Sequence, residues 1–162
     1  MFFWSIKSLK IDNNVFSSLI FKIELVSIFN RYIKEFFLFL LQKIFVNTTS
    51  FDRLARTKIV NGVRLLRINN RTPYFLEYWF KNFPNNCRDP IKNGDVQFFQ
   101  NQTLKSSDQN SLQLFELLKK KGTELSSYYQ NNILLYLKNL LITSDQYIKG
   151  IMNNNRVNPL KI

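Results

Sequence analysis

No histidine occurs among the 162 residues, and cysteine occurs once, as Cys87. The missing histidine removes the commonest general base, the commonest metal ligand and most nucleophile triads together. A lone thiol excludes an internal disulfide and any zinc site built on cysteines. Glycine is present only as the isolated Gly62, Gly94, Gly122 and Gly150, so no glycine-rich phosphate loop can form. The 11 acids do not cluster. Asp89 and Asp95 read better as turn residues than as a catalytic carboxylate pair. We therefore expect no enzyme, no cofactor and no metal site.

Alanine is reduced to Ala55 alone, where average proteins use it heavily. Asn, Phe, Ile, Lys, Tyr and Met take its place, and all six have A/T-rich codons. That skew implies a very AT-rich genome and weakens any argument from the abundance of Asn, Lys or Phe. Arginine runs against the skew and is correspondingly informative.

Long uncharged runs are lacking too. Residues 15–46 form the most apolar stretch, but Lys22, Glu24, Arg31, Lys34, Glu35 and Lys43 interrupt it. A bilayer span needs about 18 or more nearly uncharged residues, so this segment reads as one long helix or two consecutive ones, packing on partners. Over the whole chain hydrophobic residues reach 45% and aromatics 15%, enough material for one packed domain.

The charge is lopsided, with 23 Lys and Arg against the 11 acids and a net charge of +12. It is spread over the whole length, which suits an extended polyanion better than a small ligand. Arg53, Arg56, Lys58, Arg64, Arg67 and Arg71 form the strongest run, with Asp52 the only acid nearby. Guanidinium groups bind phosphate bidentately and stack on bases, which suits RNA. The bland alternative is a solvated, salt-bridged face. Lys119, Lys120 and Lys121 are a weaker second candidate, because lysines in a helix's last turn are favoured by its dipole without any partner.

The pattern predicts an α+β fold, mainly α. Asn61-Gly62 sits between two β-branched runs in 57–68, the strongest short signal for a β-hairpin. Asn93-Gly94 marks a possible second hairpin, with Pro90 at its start. Between them a short aromatic helix over 73–82 follows Thr72-Pro73 and stops before Pro84. Its ring cluster, Tyr74 to Phe83, reads as core or subunit interface more readily than as a platform for unpaired bases. Residues 111–152 predict an antiparallel helical hairpin, with Gly122 ending the first helix, Thr123 capping the second and Ser144 capping a short last one. The expected organisation is an apolar helical segment over 1–50, a basic hairpin and loop region over 51–110, the helical hairpin, and an extended basic tail over 153–162, all in one structural unit.

In composition the chain resembles proteins encoded by AT-rich mitochondrial genomes of protists, ciliates among them. The resemblance rests on the Phe/Asn/Ile/Lys bias over the whole length and on the initial Met1, which we read as made inside the organelle with no cleaved leader. Such genomes encode mainly ribosomal proteins and subunits of the respiratory complexes or ATP synthase. The resemblance thus implies a structural ribosomal subunit, partnered by rRNA and neighbouring ribosomal proteins. The alternative is an accessory, non-catalytic subunit at the inner membrane, partnered by respiratory-complex subunits and anionic lipid. Either way the expected place is the mitochondrion, in the matrix or on the matrix face of the inner membrane.

Overall fold

A computed structural model describes the backbone of residues 13–100 and 109–161, and the side chains of residues 17–100 and 113–150. Among the described residues there is no β-strand, so the fold is all-α and not α+β. Helix α1 spans Asn13–Phe39 and ends in a π-helical turn, Leu40–Ile44, closed by Phe45 N–H donating to Leu40 O at 2.9 Å. Helices α2 (Ser50–Ile68), α3 (Tyr74–Asn82), the single-turn α4 (Arg88–Lys92), α5 (Gln109–Thr123) and α6 (Ser127–Lys161) follow. Short 3-10 turns lie at Asn85–Cys87 and Val96–Phe99.

Both expected hairpin turns belong to helices, each for an identifiable reason. Ala55, Ile59 and Leu66 are buried on one side of α2, and this stripe of helical period runs straight through Asn61-Gly62. Thr49 starts the helix, its hydroxyl accepting from the Asp52 N–H at 3.2 Å. Gly62 then serves a packing need. A Cβ there would stand 2.9 Å from Cε2 of Phe37, so its missing side chain lets α1 approach α2. At the second site Gly94 has φ +64°, but as a helix terminator. Its N–H donates to Ile91 O at 3.1 Å and the next N–H, of Asp95, to Pro90 O at 2.8 Å. These two bonds are the Schellman pattern that closes a helix on a left-handed glycine. Pro90 sits inside the first turn of α4, where its missing N–H costs no hydrogen bond.

The C-terminal third also differs from expectation. Helix α5 continues through Gly122, which is buried beneath the Phe99 ring and would collide with it if it carried a Cβ. Gly122 is therefore a contact glycine and not a helix stop. The link to α6 is short, and Gln130 Nε2 donates across it to Gly122 O at 2.8 Å. The two helices nevertheless do not form a closed hairpin. Helix α6 packs chiefly along α1, while α5 rests on α2 and the Val96–Phe99 turn. Helix α6 also runs unbroken past Ser144, whose hydroxyl donates back to Leu141 O instead of capping a new helix. The residues expected as a tail from 153 are helical as far as Lys161, with side chains outside the described residues.

One apolar core joins all of this. Phe29, Ile33 and Leu40 of α1 with its π turn, Ile59 of α2, Leu76 of α3 and Leu137 of α6 are fully enclosed. The expected aromatic segment divides at α3. Trp79 and Phe83 pack with Phe115 at centroid distances of 5.3–5.6 Å, whereas Tyr74 stays at the surface. Polar ties fix the helices' mutual positions. Arg88 and Lys92 of α4 both reach Asp145 of α6, at 2.8 and 3.1 Å. No described helix is long and apolar enough to cross a membrane.

Candidate nucleic-acid interface

Because residues 50–68 are helical, the basic run is arranged by a 3.6-residue period and not by the two faces of a hairpin. Arg53, Arg64 and Arg67 fall within an arc of about 60° around α2 and extend along about 21 Å of its axis. All three are exposed. Among the described residues none of them has an ion-pair partner. Phosphates of one nucleic-acid strand repeat every few ångströms, so a stripe of this length can meet several. Arg71 lies beyond the helix end in the turn before α3 and is exposed as well. Lys58 is half-buried on another side of α2, about 120° from Arg64.

Arg56 does something else. It is half-buried, and its Nη1 donates to Phe45 O at 2.8 Å and to Asn47 O at 2.7 Å. The guanidinium thus holds the bend between the π turn and α2. Asp52 finishes the same corner. Its carboxylate accepts from the Asn47 N–H at 2.8 Å and from Lys121 Nζ at 3.0 and 3.1 Å.

The lysine run divides in the same way. Lys121 turns inward to that ion pair, where the side chains of Lys121 and Asp52 are 7% and 1% exposed. Lys119 is half-buried and Lys120 exposed, and both line a shallow depression with Glu116 and Glu124. The residues expected to bind phosphate are therefore not one surface. Arg53, Arg64 and Arg67 are brought together, Arg71 lies beyond the helix end, Lys58 is on another side of α2, and Arg56 and Lys121 are structural. Nothing in a sequence of like charges announces this split; the helical register of Ala55, Ile59 and Leu66 shows only which side of α2 is buried, and the turn of Arg56 and Lys121 depends on acceptors elsewhere in the chain.

No group of three or more Cys, Asp and Glu side chains able to hold a metal exists among the described residues. Cys87 is buried, and its thiol pKa is pushed up to about 11 by that burial, with Lys119 pulling weakly the other way. A thiol of that kind stays protonated at neutral pH and is a poor nucleophile.

No family model matches the chain, and no curated protein or solved structure matches it significantly.

Proposed function

We propose that this chain is a structural, non-catalytic RNA-binding subunit of a mitochondrial ribosome. The observation that carries the proposal is the exposed stripe of Arg53, Arg64 and Arg67 on α2. Arginine is scarce in this composition, and three of the eight share one side of one helix. The stripe neutralises phosphates of folded rRNA, while the apolar surfaces of the remaining helices meet neighbouring proteins. Sedimentation of the native assembly in detergent tests this. The protein should travel with rRNA and be released by ribonuclease. Migration with a membrane complex after ribonuclease treatment would sink it.

A second reading, an accessory subunit of a respiratory complex or ATP synthase, is favoured by one feature. Leu19, Ile20, Phe21 and Ile23 are exposed near the start of α1. In that setting they lie against membrane-embedded subunits, and the arginines face anionic headgroups. The same sedimentation experiment separates the two.

A further inference from the structure

Beside the arginine stripe, between α2 and α3, lies a groove of about 680 Å³ whose lining includes Lys58 and Asn61 of α2, Tyr74, Tyr78 and Lys81 of α3, and apolar side chains of α1 and α5, Phe37 and Leu114. Its composition is unlike that of the core. The Tyr74 ring is 47% exposed although its neighbours Leu76 and Phe83 are buried. It lies nearly parallel to Tyr78, with an interplanar angle of 18° and centroids 6.1 Å apart. Two ammonium groups and two amides, of Asn61 and Asn82, stand in a wall otherwise apolar, and no carboxylate is among the lining residues.

We propose that this groove takes an unpaired nucleotide of the bound RNA. The inference rests on the RNA reading of α2 and deepens it by naming which RNA feature the protein selects. Each part of the groove has a counterpart in a nucleotide. An exposed tyrosine face stacks a base, which any nucleobase can satisfy. The Asn61 amide offers both a donor and an acceptor to a base edge. Lys58 and Lys81 supply positive charge for the phosphates on either side. Asn61 lies only about 60° round the helix from Arg64, so the groove opens within reach of a strand bound along the stripe. RNA recognition favours such sites because bases in loops and bulges are free to splay out, whereas the grooves of an A-form duplex hide them.

The test uses the full chain and two RNA hairpins of equal charge, one fully paired and one with the same stem carrying a short internal bulge. Affinities are read by fluorescence anisotropy. The wild type should bind the bulged hairpin more tightly. Tyr74→Ala should lose roughly tenfold on the bulged hairpin and little on the paired one, while Tyr74→Phe, which keeps the ring, should retain the preference. Tyr74 is exposed, and unchanged circular dichroism confirms that the variants fold. Equal affinity of the wild type for both hairpins, or a Tyr74→Ala variant that keeps the preference, overturns the groove assignment and leaves the phosphate-binding stripe standing. Failure of the wild type to bind either hairpin at low salt overturns the RNA reading and the groove with it.

Discussion

Arg56 and Arg64 lie eight residues apart on one helix and do opposite things. Arg56 turns back to the chain and binds the carbonyl oxygens of Phe45 and Asn47. Arg64 stands in solvent beside Arg67 and Arg53. The same division recurs in the lysine run, where Lys121 is buried against Asp52 and Lys120 is exposed. Cations in a basic protein are thus not a single population. Some hold the fold by satisfying buried acceptors, while Arg53, Arg64 and Arg67 stand exposed on one side of α2. The acceptors within reach decide which, since Arg56 lies only about 20° round α2 from Arg67 and differs from it by the carbonyls of Phe45 and Asn47.

Stability measurements can break this comparison. The largest effect is expected from Lys121→Met, which leaves the Asp52 carboxylate buried without its cation; losing one partner of a buried pair costs about 3–5 kcal/mol. Urea unfolding followed by circular dichroism measures it, and a loss below about 1 kcal/mol, the range of surface pairs, would show that the pair is solvated. Arg56→Gln should cost less, about 1–2 kcal/mol, because it removes two charge-assisted bonds to backbone carbonyls at a half-buried site. Exchange of the Arg64 and Arg67 charges, by Arg64→Gln with Arg67→Gln, should shift stability by less than about 0.5 kcal/mol, as surface substitutions do. If that double variant proves as unstable as Lys121→Met, the outer arginines have a structural role.

The helical character of residues 15–46, expected as one helix or two, and the helix over 73–82 are legible because their apolar spacing and proline punctuation are local. Asn-Gly is a strong local hairpin signal, but at Asn61-Gly62 tertiary packing overrides it, and at Asn93-Gly94 the left-handed glycine closes a helix instead. At Gly62 a glycine in mid-helix costs about 1 kcal/mol against alanine, and close contact with Phe37 is what it allows instead. Gly122 taught the same lesson with Phe99. Ala55, Ile59 and Leu66 carried the helical alternative all along, at spacings of four and seven. For the candidate site, the arginines singled out within 53–71 include three, Arg53, Arg64 and Arg67, that share one exposed side of α2. The inward turn of Arg56 and Lys121 was not legible, because their partners are backbone carbonyls at 45 and 47 and a carboxylate 69 residues away. The groove between α2 and α3 was equally hidden, since it joins Lys58 and Asn61 to Tyr74 only once both segments are helices.

The salt dependence of RNA affinity tests the division of the cations most directly. Each phosphate contact contributes about 0.7–0.9 to the slope of log K against log salt. Arg64→Gln with Arg67→Gln should therefore lower the wild-type slope by about 1.4–1.8, while Arg56→Gln, measured on folded protein, should leave it unchanged. An unchanged slope in the double variant, or an equal fall in Arg56→Gln, would contradict the assignment of phosphate binding to the outer stripe of α2.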